Sequence, residues 1–250
     1  MDEDASFMRR EGDPNMYRLG RIGPHYVVIN RPRFGQSGQL TASQIVNGMK
    51  STFHGMRFWL LVSIGGGAPS QKVDIRLGDA VLGMSVLPDK KGKEKDNTFK
   101  ITGKAKEPPV ELLDVITELK HKLDHELWLG QILDNVLRRQ LASQPDSQDA
   151  LRRNYRRPSN DHLWKSDYIH GDNDCDCLHQ PPNDTSRSIH RVQRDIEQLI
   201  QTHCGIVGSA DQVMKNATKR DMLAREEDII CFEMEATAAM EAAAGNQADP

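Results

Sequence analysis

The apolar positions of the chain predict β-strands in its first hundred residues. Residues 17–22 and 26–29 are apolar stretches separated by a Gly-Pro pair, a combination typical of a β-hairpin. Residues 57–64 form a continuously apolar run that leads directly into three glycines, and they predict a strand buried on both faces. Residues 80–86 predict a further strand.

Helical periodicity is clearest after Pro108 and Pro109, where leucine and isoleucine recur at spacings of three and four. Another helix is predicted from Thr41, a residue suited to cap it, to about Phe53. Weaker patterns predict three more helices and two more strands. The helices span residues 127–141, 189–200 and 233–244, and the strands span residues 205–213 and 229–232.

Strands that alternate with helices indicate an α/β protein with a parallel or mixed sheet. One domain is expected over residues 15–245, followed by a short tail at 246–250. Residues 1–14 are polar and are expected to be disordered. An irregular insertion is expected at about 142–203, because much of that stretch is rich in Asp, Asn, Arg, Ser and Pro and lacks periodicity.

The composition excludes several classes of partner. The net charge of −3, with basic residues scattered among acidic ones, argues against nucleic acid. No apolar run reaches the roughly 18 residues that would suggest a membrane span. Asp2, Glu3 and Asp4 have the wrong charge for a signal peptide. A cytoplasmic location with reduced cysteines is therefore expected.

One cluster of residues has the chemistry of a zinc site. His170, Cys175, Cys177 and His179 supply four side chains of the two types that most often bind zinc, within ten positions. Only one residue separates the two cysteines, however, whereas structural zinc sites usually place two or more between them. A metal-free insertion is therefore favoured over a zinc site, and both interpretations stay open.

Several segments in the same order resemble the purine nucleoside phosphorylase and nucleosidase superfamily. The resemblance is strongest to the domains at the front of large fungal signalling proteins. It includes a strand ending in glycines, a Gly-Ser-Ala-Asp-Gln-Val-Met stretch and a Glu-Met-Glu motif. The matching segments are residues 17–67, 73–79, 155–170, 208–215 and 231–236.

The resemblance implies a three-layer α/β/α fold around a twisted mixed sheet, and it implies the roles of several residues. Glu235 matches the glutamate that binds the ribose hydroxyls, and Met234 would pack under the sugar. Ile64, Gly65 and Gly66 match the loop that lines the nucleoside and phosphate pocket, and Val213 and Met214 match residues beside the purine. Each role has a purely structural alternative. The glutamates of the Glu-Met-Glu motif can simply complement the dipole in the first turn of a helix. The glycines can form a tight turn, and Val213 and Met214 can pack in the core.

The chain also departs from the superfamily pattern. Ser63 replaces a usual glycine, and Ala210 stands at a position where a positive φ would strain the backbone. No counterpart of the first superfamily strand precedes Tyr17, and no strand followed by a general-acid aspartate follows the Glu-Met-Glu helix. The fold is therefore expected to be incomplete at both ends, and no catalytic residue is assigned.

Two functions from different classes follow from these observations. The first is cleavage of the N-glycosidic bond of a purine nucleoside or related ribosyl compound, with inorganic phosphate as a co-substrate and no other cofactor. The second is a catalytically inactive nucleoside-sensing or interaction module; a truncated gene product is the third interpretation. The resemblance also allows a homo-oligomer.

Overall fold

The computed structural model describes residues 6–88, 92–95, 98–125, 162–169, 187–194 and 200–244. In chain order, the strands are β1 (Ser6–Met8), β2 (Tyr17–Ile22), β3 (His25–Asn30), β4 (Gly66–Gly67), β5 (Ala80–Pro88), β6 (Gly92–Lys95), β7 (Thr98–Ile101), β8 (Leu163–Trp164), β9 (Ser188–Ile189), β10 (Thr202–Ser209) and β11 (Ile229–Glu233). The helices are α1 (Gln39–Thr52), α2 (Val110–His125), α3 (Ala217–Glu227) and α4 (Ala236–Ala244).

The central sheet has four strands in the order β4-β11-β10-β5. β10 runs parallel to both β11 and β5, whereas β4 pairs antiparallel with β11. Two glycines of β10 make room for its neighbour, since a Cβ at Gly205 or at Gly208 would lie 2.8 Å from the side chain of Ile230 or Phe232. The α/β class with a mixed sheet is therefore confirmed.

The hydrophobic core lies between this sheet and its helices. Its buried members come from β5, β7, α3, β11 and the turn after β4, and they are Ala68, Leu87, Ile101, Leu223, Ile229 and Phe232. Helices α1 and α4 pack against each other. Lys50 of α1 donates hydrogen bonds to the carbonyls of Ala242 and Ala243 at 2.8 and 3.2 Å, so a cation satisfies the C-terminal end of α4.

The predicted hairpin is confirmed as β2 and β3, and β1 adds a third strand to it. Asp13 and Tyr17 are both buried beside α1, and the Tyr17 hydroxyl donates to the Asp13 carboxylate. Thr52 donates to the same carboxylate at 2.6 Å. The expectation of disorder over residues 1–14 is therefore wrong for residues 6–14, because these contacts bury a polar cluster that the composition did not reveal.

The strand predicted over residues 57–64 is wrong. In this segment, the part that pairs with β11 is Gly66–Gly67, and residues 57–64 are irregular. The side chains of Leu60, Val62 and Ile64 are 78, 93 and 96% exposed. A continuous apolar run predicts a buried strand only where neighbours cover both of its faces, and the described residues do not cover this one.

Two helix predictions also change. α1 begins at Gln39 after Gly38, which has a φ of 87°, so Thr41 lies inside the helix and does not cap it. The helix predicted over residues 189–200 is wrong where it is described, since Ser188–Ile189 form β9 and residues 190–194 are irregular. The predicted helix at 127–141 lies outside the described residues.

Other predictions are confirmed within a few residues, and one helix was missed. The strands β5, β10 and β11 and the helices α2 and α4 all lie where the apolar patterns placed them. The missed helix is α3, which has no apolar stripe that would reveal it in the sequence. It begins after Asn216, whose side chain caps it by accepting from the Lys219 N–H at 2.9 Å.

An ion-pair network attaches the described part of the predicted insertion to the loop before β5. The Asp79 carboxylate is fully buried and accepts from both terminal nitrogens of Arg194 at 2.7 and 2.9 Å. His203 Nε2 lies 2.9 Å from the same carboxylate. Arg76 donates to the Val192 carbonyl at 2.7 Å. Charge and hydrogen bonding thus attach Val192, Arg194 and His203 to the loop before β5.

Candidate functional site

Glu235 lies where three distant segments of the chain meet. Its Oε1 accepts a hydrogen bond from the Gly38 N–H at 2.9 Å, just before α1. Its Oε2 accepts from the Ser63 hydroxyl at 3.2 Å, in the irregular segment before β4, and from the Met234 N–H at 3.3 Å. The half-buried carboxylate therefore lies beside the glycine loop that the sequence grouped with it.

Glu233, and not Glu235, caps helix α4. Its carboxylate accepts from the Glu235 N–H at 2.8 Å and from the Ala236 N–H at 2.9 and 3.1 Å. The buried Ser209 hydroxyl oxygen accepts the next N–H, that of Thr237, at 3.0 Å. The interpretation of a decorated first turn thus describes Glu233, and the Glu235 side chain is left for another purpose.

Asp211 brings the end of β10 to the same place. Its Oδ1 is 3.4 Å from the Gln39 N–H, next to the Gly38 N–H that contacts Glu235. The start of α1, where backbone N–H groups have no partner within the helix, therefore faces two carboxylates. Gly38 has no side chain that could cap α1, and Glu235 and Asp211 supply acceptors in its place.

In the glycine loop, Gly65 packs closely against β11, whereas Gly66 faces open space. A Cβ at Gly65 would lie 2.4 Å from Cys231 Sγ and 3.0 Å from the Phe232 carbonyl, so a larger residue would collide with β11. A Cβ at Gly66 would meet nothing within 4 Å. Gly65 therefore has a structural reason for its identity, and the backbone of Gly66 is accessible.

The two residues assigned to the base pocket have different environments. Val213 is 64% exposed, at the end of the stretch that follows β10. Met214 packs against the hydrophobic core, as the ordinary packing interpretation expects. Ala210 does not adopt a left-handed backbone, and its N–H donates to the Glu233 carbonyl at 3.2 Å. The expectation of backbone strain at Ala210 is therefore wrong, because its φ is not positive.

The zinc candidates His170, Cys175, Cys177 and His179 lie outside the described residues. Within the described ranges, no group of three or more His, Cys, Asp or Glu side chains is arranged to hold a metal ion. The described part of the chain also contains no helix with the length and apolar character needed to cross a bilayer.

Sequence reasoning found Glu235 but missed its partners. Gly38 and Glu235 are separated by 197 positions, and no local pattern links them. Gly38, three residues before the predicted start at Thr41, was the available sign that α1 begins without a side-chain cap. Ser63 was recognised only as a departure from a family pattern, and its hydroxyl contact with Glu235 follows from the fold.

One sequence relative covers nearly the whole chain. A nucleotide-binding leucine-rich repeat (NLR)-like protein from Hyaloscypha variabilis is 33% identical over 241 residues, which are 91% of this chain. The chain spans 22% of the length of that relative. No protein-family model matches the chain.

Solved structures identify the fold. A protein described as a 5′-methylthioadenosine/S-adenosylhomocysteine nucleosidase, from Francisella philomiragia, superposes with a TM-score of 0.52 at 12% identity, covering 95% of this chain and 69% of its own. The Colwellia psychrerythraea 5′-methylthioadenosine/S-adenosylhomocysteine nucleosidase, solved with adenine, has a TM-score of 0.50 at 12% identity, covering 96% of this chain and 67% of its own.

These structures define the fold of the chain. The chain has the α/β fold of the purine nucleoside phosphorylases and nucleosidases, as its motif order implied. More particularly, it is similar in sequence to part of a fungal NLR-like protein, in agreement with the resemblance to fungal signalling domains.

Proposed function

We propose that this chain is a purine-nucleoside-binding domain in which Glu235 accepts hydrogen bonds from the ribose hydroxyls. The observation that carries the proposal is the position of the Glu235 carboxylate. It lies at the junction of α1, the glycine loop and α4, while Glu233 and Ser209 perform the capping of α4. Glu235 takes no part in capping α4, and its contact with the start of α1 uses one acceptor position of Oε1, so the carboxylate is available to a ligand.

The hydrogen bonding of Glu235 supports this role. An ionised carboxylate has about four acceptor positions, and the described residues fill three of them. Its Oε1 has a single donor, the Gly38 N–H, so this oxygen can accept a further hydrogen bond. Hydrogen bonds to an ionised group are stronger than neutral ones, which makes the carboxylate an effective anchor for a sugar hydroxyl.

Apolar contacts beside the carboxylate suit the rest of a nucleoside. Met234 is half-buried directly before Glu235, and a flexible thioether adapts to the face of a sugar. Val213 exposes an apolar side chain two residues after Asp211, which lies beside the Gly38-Gln39 turn. The nucleosidase fold and the adenine bound to the Colwellia protein favour a purine as the base.

Recognition is the function that the described residues support best, ahead of cleavage. The carboxylates near Glu235 already have backbone partners: Glu233 caps α4, and Asp211 faces the Gln39 N–H. Neither is placed as an unengaged acid for a leaving purine. The relationship to an NLR-like protein suits a domain that senses a nucleoside within a larger signalling chain. Inorganic phosphate would be a co-substrate only if the chain cleaved the glycosidic bond.

Titration calorimetry of the full chain with adenosine, inosine and 5′-methylthioadenosine tests the proposal. E235Q keeps the shape of the side chain but removes its charge, and we expect it to weaken binding by roughly ten-fold or more. E226Q is the matched control, because Glu226 is an exposed glutamate on α3. Base release, assayed with and without inorganic phosphate, is expected to stay at background. Equal affinity of E235Q and the unaltered chain would contradict the proposal.

A further inference from the structure

We propose that Ser63 determines sugar specificity, because its hydroxyl occupies the Glu235 acceptor position that a second ribose hydroxyl would need. The site would then discriminate little between a ribonucleoside and an analogue that lacks one of the two hydroxyls. This inference rests on the proposed nucleoside-binding function and names a residue that tunes it.

The two carboxylate oxygens of Glu235 accept different numbers of hydrogen bonds. Among the described residues, Oε1 receives one donor, the Gly38 N–H at 2.9 Å. Oε2 receives two, the Ser63 hydroxyl at 3.2 Å and the Met234 N–H at 3.3 Å. Since each carboxylate oxygen has about two acceptor positions, Oε1 has one left and Oε2 has none.

A vicinal diol and a single hydroxyl make different demands on this arrangement. One hydroxyl can bind Oε1 beside the Gly38 N–H without disturbing any existing contact. The second hydroxyl of a diol would be directed to Oε2, where it must displace the Ser63 hydroxyl. That exchange replaces one O–H donor by another, so it adds little net free energy to binding.

Ser63 is placed so that its hydroxyl can be altered without disturbing the fold. The residue is exposed, in the irregular stretch before β4, and Glu235 is the partner of its hydroxyl. The competing Met234 N–H belongs to the backbone beside Glu235 itself and cannot be removed by substitution. The side chain of Ser63 is therefore the adjustable part of the Glu235 environment.

The test compares the dissociation constants of adenosine, 2′-deoxyadenosine and 3′-deoxyadenosine for the full chain and its variants. For the unaltered chain we expect adenosine to bind within about three-fold of the tighter monodeoxy analogue. S63A frees the Oε2 acceptor, so the preference for adenosine should rise by roughly three- to ten-fold. S63T keeps a hydroxyl and should retain the original ratio.

S51A serves as the control, since Ser51 is an exposed serine at the end of α1 whose hydroxyl donates to the Gly48 carbonyl at 2.9 Å, away from Glu235. An unchanged ratio in S63A, with binding still lost in E235Q, would overturn the role of Ser63 and leave the nucleoside-binding function standing. Absence of nucleoside binding, or binding indifferent to E235Q, would overturn the proposed function and this inference with it. Melting temperatures of all variants verify that each is folded.

Discussion

The N–H of Gly38 donates a hydrogen bond to Oε1 of Glu235 at 2.9 Å and thereby joins the start of α1 to the start of α4. Gly38 has a φ of 87° and a ψ of 178°, a conformation that residues other than glycine rarely adopt. The carboxylate proposed to bind a ligand therefore also supplies an acceptor at an otherwise uncapped helix end. Stability and binding are expected to be coupled through this contact.

G38A is expected to destabilise the protein by about 1–3 kcal/mol, because alanine is strained in this backbone conformation. No steric collision adds to the cost, since a Cβ at Gly38 would meet nothing within 4 Å. Urea unfolding followed by circular dichroism measures the difference. G55A is the matched control: Gly55 has equally open surroundings but no positive φ, and its replacement should leave the free energy of unfolding nearly unchanged. Equal effects of the two substitutions would contradict the account of Gly38.

D79N is expected to lower the free energy of unfolding at pH 7 by about 3–5 kcal/mol, because it removes the carboxylate nearest to the buried guanidinium of Arg194 and leaves the more distant Asp74, at 3.8 Å. The Arg194 side chain is 6% exposed, so water cannot replace the lost carboxylate. D228N is the control, since Asp228 pairs with Lys72 at the surface and both side chains are largely exposed. A loss as small as that of D228N would show that the Asp79 network does not hold residues 191–194 and 201–203 in place.

The same carboxylate predicts a dependence on acid. Burial of Asp79 opposes its ionisation, but hydrogen bonds from His203 and Arg194 outweigh burial and hold its pKa well below the usual range. Its contribution to stability is therefore complete above the unfolded-state pKa near 4 and is lost as the pH falls below that value. The difference between the unaltered chain and D79N should shrink between pH 5 and pH 3, as measured by urea unfolding at each pH. A constant difference over that range would contradict this linkage.

Tyr17 predicts that the protein loses stability at high pH, whereas Asp79 predicts a loss at low pH. Burial of its ring, together with the hydrogen bond to Asp13, raises the pKa of Tyr17 to about 12. The unfolded state ionises near pH 10, so the stability that depends on the protonated phenol is lost as the pH rises above 10. Y17F should cost about 1 kcal/mol at pH 8, and this deficit should narrow at pH 11. Y26F is the control, because Tyr26 is 87% exposed; a deficit that stays constant between the two pH values would contradict the prediction.

Local apolar patterns correctly predicted the helices and strands whose apolar side chains are buried in the structure. α2 follows from leucines at helical spacing, and β10 and β11 follow from short apolar runs that the sheet does cover. The run at residues 57–64 is equally apolar, but no described residues pack over it, so its apolar pattern alone gave the wrong prediction. Whether an apolar run is buried depends on elements far away in the chain, and the run does not encode it.

The candidate site was predictable in part for the same reason. Glu235 was found because it lies in a contiguous Glu-Met-Glu motif that resembles a known family. Gly38, Ser63 and Asp211 were not assigned to it, because their contacts with Glu235 or with α1 form only when the strand ends converge. The network of Asp79 and Arg194 was missed because buried ion pairs have no spacing rule when their members lie 115 positions apart.

A crystal structure of the full chain grown with saturating adenosine tests the central claim most directly. The account predicts that a ribose hydroxyl lies within about 3 Å of Glu235 Oε1, next to the Gly38 N–H, with the purine near Val213. Adenosine bound with its ribose away from Glu235, or no bound adenosine at saturation, would contradict it.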